Sequence, residues 1–255
     1  MTSLPRRAFL AGGAGLALAR SAVASPDSVR AWLEARVPKP AVPGRVRLAL
    51  PDLADNGASV QVALAVDGPA DAVRALHLAA DGNPNPGIAS FRFGEGIGRA
   101  EVTTRIRLAQ SQRVTAVAEL ADGSAWSATR EVKVTLGGCG VGEPEIASGP
   151  PTARVRVPSP ARRGEIVEIR TLVTHPMESG ERRDASGARI PRKILREFAC
   201  RYGGRELLSA TLEPAIAANP YLVFFATIDR AAEFEFSWTD DDGSVVRAAQ
   251  AVTLA

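Results

Sequence analysis

The chain has 255 residues, 45% of them hydrophobic and 23% charged, so it can bury a packed core and is not a disordered protein. All 28 acidic residues follow residue 24, and three of the 31 basic residues (Arg6, Arg7 and Arg20) precede it, so residues 25–255 carry no net charge. A neutral chain without a basic stripe argues against nucleic-acid binding. Two Cys and two His are too few for a disulfide scaffold or a zinc module.

Residues 1–24 have the features of an export signal. Arg6 and Arg7 precede an apolar run, and Ala22-Val23-Ala24 forms an A-x-A cleavage site. The run is about a dozen residues long, shorter than the roughly 20 that cross a bilayer, so a membrane anchor is not expected. Because the adjacent arginines resemble a bacterial twin-arginine signal, we predict a cleaved signal peptide and a periplasmic protein.

A short helix is predicted at residues 25–36, at the start of the exported chain. Ser25 or Asp27 can cap it, and proline residues from Pro38 onward end it. Its predicted apolar face consists of Val29, Trp32 and Leu33.

From residue 45 onward the apolar positions repeat with period two, which is typical of half-buried strands. Turn sequences such as Asp55-Asn56-Gly57 separate the alternating segments. About seven short strands in about 95 residues predict that residues 25–138 form an immunoglobulin-like β-sandwich. The segments with the clearest alternation are Val60–Val66, Ala100–Leu108, Val114–Leu120 and Val132–Leu136.

Residues 139–152 have the composition of a linker, and residues 153–255 predict a second immunoglobulin-like β-sandwich. A polar loop is expected from Met177 to Arg192, and Asp240–Gly243 is expected to form a hairpin turn, since the calcium-loop spacing is absent. The predicted strands are Val155–Val157, Ile166–Val173, Ile194–Tyr202, Leu222–Ile228, Phe234–Trp238 and Val245–Leu254.

Cys139 has an unusual setting for a cysteine, because Gly137, Gly138 and Gly140 flank it. Glycine supplies no packing, so we expect an exposed thiol on a flexible arm, roughly 10 Å beyond Leu136. Neither a base nor a helix N-terminus is adjacent to lower the pKa of the thiol. The sequence therefore predicts no catalytic residue and favours a thiol that partner enzymes activate.

The remaining cysteine and the histidines are expected to have structural roles. Cys200 alternates with Phe198 and Tyr202 and is predicted to be an inert core residue. A Cys139–Cys200 disulfide stays open as an alternative, because an exported protein meets oxidants. His175 is assigned to structure or docking and His77 to a strand, and no metal site or cofactor is predicted.

The residues around Cys139 resemble a known family of bacterial thiosulfate-oxidation proteins. Residues 134–140 resemble the carboxy-terminal Gly-Gly-Cys-Gly-Gly arm of the sulfur carrier SoxY, and residues 153–255 resemble its partner SoxZ. The SoxY-like motifs continue at Asp55–Gly57, Asn83-Pro84, Thr104–Arg107 and Ala116–Gly123. The SoxZ-like motifs are Gly164–Leu172, His175–Glu178, Asn219–Tyr221 and Trp238–Gly243.

This resemblance implies a fused SoxY–SoxZ carrier with two paired sandwiches and no turnover of its own. Cys139 would hold the substrate covalently: a haem enzyme would load thiosulfate, a manganese hydrolase would release sulfate, and a sulfane dehydrogenase would oxidise the remaining sulfur. One departure is that the SoxY arm ends its chain, whereas here Val141 follows and the chain continues. Fused carriers also resemble proteins associated with quinoprotein alcohol dehydrogenases, so an adaptor or carrier for such an enzyme remains the alternative.

Overall fold

The computed structural model describes residues 23–138 and 150–255. Within these ranges the chain has one α-helix, α1 (Pro26–Glu34), and its strands form two sheets, which confirms the predicted all-β class with a short N-terminal helix. The strands are β1 (Val42–Pro43), β2 (Val46–Ala49), β3 (Leu53–Asn56), β4 (Val60–Val66), β5 (Val73–Ala80), β6 (Gly87–Phe93), β7 (Ile97–Ile106), β8 (Gln112–Leu120), β9 (Ala125–Leu136), β10 (Ala153–Arg156), β11 (Ile166–Val173), β12 (Leu195–Tyr202), β13 (Arg205–Leu212), β14 (Tyr221–Thr227), β15 (Ala232–Asp240) and β16 (Val245–Val252).

Helix α1 begins at a capping box and lies on the outer face of a sheet. The backbone N–H of Ser28 donates to Ser25 Oγ at 3.2 Å, and that of Ser25 donates to Ser28 Oγ at 2.8 Å, so two N-terminal amides are satisfied. Val29 and Leu33 are buried against Val117 and its neighbours. The predicted cap and apolar face are therefore confirmed.

The two sheets each extend through both halves of the chain. Within the described residues the larger sheet has the order β1-β9-β8-β5-β6-β13-β12-β15-β16, with β3 also paired to β9. The smaller sheet has the order β10-β11-β14-β7-β4-β2. Each half thus forms a sandwich of two sheets, as the alternating sequence pattern predicted.

The two sandwiches join edge to edge at two strand pairs. Strand β6 pairs antiparallel with β13, where Phe93 lies opposite Leu208, and β7 pairs with β14, where Thr104 lies opposite Leu222. The buried apolar side chains of both halves form one continuous core between the sheets. The ladders satisfy strand edges that each sandwich alone would expose to solvent.

Two polar segments lie at one end of the second half. Asp240–Gly243 forms the β15–β16 hairpin turn as predicted, with Gly243 N–H donating to Asp240 O at 3.0 Å. Residues 177–192 form the predicted polar loop, which is pinned by a bridge between Glu178 and Lys193. No helix of the described residues is long and apolar enough to span a bilayer.

Candidate functional site: the root of the cysteine arm

The chain is anchored up to the residue before Cys139. Gly57 N–H donates to Leu136 O at 2.7 Å, and Leu108 N–H donates to Gly57 O at 2.8 Å. Gly138 N–H in turn donates to Leu108 O at 2.8 Å. We call Leu136–Gly138, together with Gly57 and Leu108, the arm root. Cys139 and Gly140 lie outside the described residues.

Glycine is required in the arm root because main chains approach one another closely. A Cβ atom on Gly138 would lie 2.0 Å from the carbonyl carbon and oxygen of Gly57, and one on Gly137 would lie 2.1 Å from Ala109 O. Both distances are far shorter than any van der Waals contact. Sequence analysis assigned Gly137 and Gly138 to arm flexibility, whereas the structure gives both a packed position.

This anchoring bears on the two glycines of the predicted arm, whereas the thiol of Cys139 lies outside the described residues. The estimate of roughly 10 Å beyond Leu136 assumed that Gly137 and Gly138 extend freely into solvent. The hydrogen bond of Gly138 removes that freedom while the arm root is closed. One peptide unit, about 3.8 Å between Cα atoms, then separates Cys139 from an anchored residue.

Arg107 connects the arm root to the second half of the chain. Its side chain is buried, and its guanidinium donates to Pro176 O at 3.0 Å, to Pro214 O at 3.2 Å and to Met177 O. Its backbone N–H donates to Ala215 O at 2.7 Å. Arg107 therefore bonds to two separate segments of the second half.

Asn83 stabilises the same short segment from the first half. Its amide nitrogen donates to Arg107 O at 3.0 Å, and its Oδ1 accepts from Ala109 N–H at 2.9 Å and from Gln112 Nε2 at 3.0 Å. Residues 107–109 are thus fixed from both sides. Leu108, at their centre, holds Gly57 and Gly138.

His175 is fully buried and continues the network on the second half. Its Nδ1 accepts from Met177 N–H at 3.0 Å, so Nε2 carries the proton and donates to Asp240 Oδ2 at 3.0 Å. Burial lowers the pKa of His175 despite the nearby carboxylate of Asp240. The neutral ring is a structural element, in line with the structural alternative that the sequence suggested for His175.

Cys200 lies in β12 as a free, fully buried thiol. Burial raises its pKa well above the ordinary value, which keeps it protonated and unreactive. Phe198 and Tyr202 are buried beside it, as the alternation predicted. Because Cys200 is unpaired in the structure, the Cys139–Cys200 disulfide alternative is not supported.

His77 lies in β5 as predicted, buried beneath Trp32. Its Nδ1 is 2.9 Å from Ser90 Oγ, and its Nε2 has no hydrogen-bond partner among the described residues. Burial and the positive charges of Arg92 and Arg36 lower the pKa of His77 to about 4.

A test follows from the shifted pKa of His77. The unfolded ring takes up a proton below about pH 6.5, whereas the folded ring stays neutral until about pH 4. We expect the free energy of unfolding to fall by roughly 3 kcal/mol as the pH drops through this window. Urea denaturation at several pH values gives the free energy of unfolding as a function of pH. For His77→Gln this free energy should fall less steeply between pH 6.5 and 4, even though the variant is less stable at pH 7. An unchanged pH dependence would contradict the lowered pKa of His77.

Among the described residues, no group of three or more His, Cys, Asp or Glu side chains lies close enough together to hold a metal ion. The arm root and the Arg107 network are built mainly from main-chain groups, amides and one guanidinium. The arrangement can therefore hold a segment of chain in position.

Comparison with known proteins assigns both halves to families. Residues 32–139 match the model of SoxY, sulfur oxidation protein SoxY, and residues 155–251 match that of SoxZ, sulphur oxidation protein SoxZ. The chain is a fused SoxYZ family protein. Its domains are those of a sulfur-oxidation carrier, and the edge-to-edge junction is the intramolecular pairing of SoxY with SoxZ.

Solved structures give weaker likenesses. The sulfur carrier protein SoxY from Chlorobium limicola f thiosulfatophilum is 26% identical with a TM-score of 0.38, over 44% of this chain and 100% of that one. A superoxide reductase (neelaredoxin) from Ignicoccus hospitalis is 23% identical with a TM-score of 0.32, over 44% of this chain and 94% of that one. A comparison with curated proteins found no match.

Several of the motifs that carried the family resemblance contribute residues to the arm root and the Arg107 network, namely Gly57, Asn83, Arg107, His175 and Asp240. Sequence reasoning selected Cys139 and its glycines but gave no role to Arg107 or Asn83, although both lie within quoted motifs. A buried, backbone-bonded arginine is not distinguishable by pattern from the exposed Arg105 two positions earlier. The spacing of the motifs along the chain gave no signal that they meet in the fold.

Proposed function

We propose that this SoxYZ protein carries sulfur intermediates of thiosulfate oxidation covalently on Cys139, in the periplasm, after export by its twin-arginine-type signal. The observation that carries the proposal is the tandem of SoxY and SoxZ domains, with the SoxY match ending at residue 139. The anchored arm root supports it, because Cys139 directly follows Gly138, whose N–H is bonded to Leu108 O.

The chemistry of the two cysteines also supports Cys139. The sequence holds two Cys, and Cys200 is buried with a raised pKa. A buried thiol in an apolar core can neither ionise nor meet a partner enzyme. Any covalent sulfur cargo that requires a reactive thiol is therefore assigned to Cys139.

The proposed cycle divides the chemistry between carrier and partners. In loading, the Cys139 thiol and thiosulfate join through a new S–S bond; one proton and two electrons leave, and a haem enzyme accepts the electrons. A manganese hydrolase then uses water to release sulfate and leaves a persulfide on Cys139. A sulfane dehydrogenase oxidises that outer sulfur to a sulfonate, with three oxygen atoms from water and six electrons passed to the dehydrogenase. A second hydrolysis releases sulfate and returns the thiol. The carrier itself supplies a held sulfur atom and no turnover.

Intact mass spectrometry tests the proposal. The purified protein is incubated with thiosulfate and a loading enzyme, and we expect an added mass of one thiosulfate, less the proton lost from the thiol. Cys139→Ser should abolish this adduct, whereas Cys200→Ser should retain it, since Cys200 is buried. Reduction with dithiothreitol should remove the adduct, as expected for a disulfide-type linkage.

Two results would overturn the proposal. One is an unmodified mass under conditions that load a SoxYZ pair of separate subunits. The other is an adduct that persists in Cys139→Ser. Either result, combined with capture of a quinoprotein dehydrogenase that is indifferent to Cys139→Ser, would favour the adaptor alternative.

A further inference from the structure

We propose that Arg107 is a positioning residue that couples the arm root to the SoxZ domain. Its effect on the arm root is independent of sulfur chemistry, and its effect on loading rests on the proposed function. The segment 107–109 has two sets of contacts: Arg107 bonds to SoxZ, and Leu108 bonds to Gly138, the residue before Cys139.

On the SoxZ side, the guanidinium of Arg107 reaches main-chain carbonyls from two segments. Pro176 O and Met177 O belong to the segment that His175 and Asp240 hold in place, and Pro214 O precedes β14. Met177 itself has a left-handed backbone, with φ of 48°. The fold of SoxZ therefore determines the positions of the carbonyl groups that accept from Arg107.

On the arm side, the next residue holds the arm root. Leu108 donates its N–H to Gly57 at 2.8 Å, and its carbonyl accepts the Gly138 N–H at 2.8 Å. A shift of Arg107 along the chain would move the Leu108 N–H directly, because that group belongs to the planar peptide that joins the two residues. The Leu108 carbonyl, in the next peptide, would follow through the Leu108 Cα. Gly138, the residue before Cys139, is therefore held in place through Leu108.

The geometry requires arginine at this place. A planar guanidinium presents several N–H donors in a fixed fork, whereas a lysine ammonium is a compact group on a flexible stem. Arg107 is 8% exposed, so donors that lose their carbonyls find little water to replace them. Arg107→Lys should therefore keep the charge while loosening the segment.

Amide hydrogen exchange measured by NMR on the purified protein tests the proposal. In Arg107→Lys we expect the Gly138 amide to exchange roughly 10-fold faster, since the arm root opens more often. Arg105→Lys is the matched control: Arg105 is exposed and contacts the SoxZ residue Tyr221 through its ring, with the guanidinium 5.0 Å from the centroid. The control should leave the exchange rate of the Gly138 amide unchanged. In both variants the amides of β12 should also exchange at their wild-type rates.

Two outcomes would overturn the positioning role. Unchanged Gly138 exchange in a folded Arg107→Lys protein would show that the arm root does not depend on this side chain. Equal acceleration at Gly138 and in β12 would show a general loss of stability instead. If Cys139 carries sulfur, kcat/KM for loading should also fall several-fold in Arg107→Lys but not in Arg105→Lys. If the wild-type protein is not loaded at all, the carrier function is refuted. The exchange result would still decide the role of Arg107.

Discussion

Gly138→Ala should lower the free energy of unfolding by about 3 kcal/mol, one of the largest effects expected from adding a single methyl group to this protein. The new Cβ would lie 2.0 Å from the Gly57 carbonyl, and both main chains are held by hydrogen bonds that a shift would break. Urea denaturation followed by tryptophan fluorescence measures the change. The same variant should also increase proteolysis near Cys139, because the arm root no longer closes.

Two other glycines provide the comparison. Gly57→Ala should be similarly destabilising, since its Cβ would lie 2.2 Å from Leu108 O. Gly164→Ala should cost only about 1 kcal/mol, because Gly164 has φ of 82° but open space around the added atom. A Gly138→Ala variant no less stable than Gly164→Ala would show that the arm root yields easily.

Asp240→Ala should destabilise the fold by about 3 kcal/mol. It would leave the buried Nε2–H of His175 without its acceptor, and the Asp241 N–H would lose the Asp240 carboxylate oxygen 2.6 Å away. Chemical denaturation at pH 7 gives the measurement. Because Met177 bonds to both His175 and Arg107, we also expect faster amide exchange at the junction.

Conservative and neighbouring substitutions separate the buried network from general charge effects. Asp240→Asn keeps an oxygen that can accept from His175 Nε2–H, so its cost should stay below about 1.5 kcal/mol. Asp242→Ala removes an exposed carboxylate of the same turn and should cost far less than Asp240→Ala. Equal losses for Asp240→Ala and Asp242→Ala would contradict the role given to the buried pair.

Much of the fold could be predicted because its signals are local. Strand β11 matches the predicted Ile166–Val173, and the Ser25 cap and apolar face of α1 follow directly from residue type and spacing. Strand β13 was missed because Leu207 and Leu208 are both fully buried, which breaks the alternation. Both can be buried because the pairing of β13 with β12 shifts register there: Cys200 lies opposite Leu208 and Arg201 opposite Glu206, so Leu207 is an extra residue that interrupts the alternation.

The candidate site was less predictable because it depends on contacts distant in sequence. Glycines beside Cys139 indicate flexibility when considered alone, and only the approach of Gly57 reveals that Gly138 is needed for packing. Arg107 meets carbonyls about 70 and 107 positions away along the chain. The periodicity of the sequence cannot predict such long-range contacts, because they arise from the order in which the strands pair.

The shared sheets have a consequence for the segment 139–149. Because β6–β13 and β7–β14 hold SoxY and SoxZ together through main-chain ladders and a common core, the covalent connection is not what keeps the domains associated. A single peptide cleavage after Cys139 would leave a two-chain protein with the same assembly and turn the thiol-bearing segment into a free carboxy-terminal tail. Fusion and separate subunits would then be two forms of one architecture, and a protease would convert the first into the second.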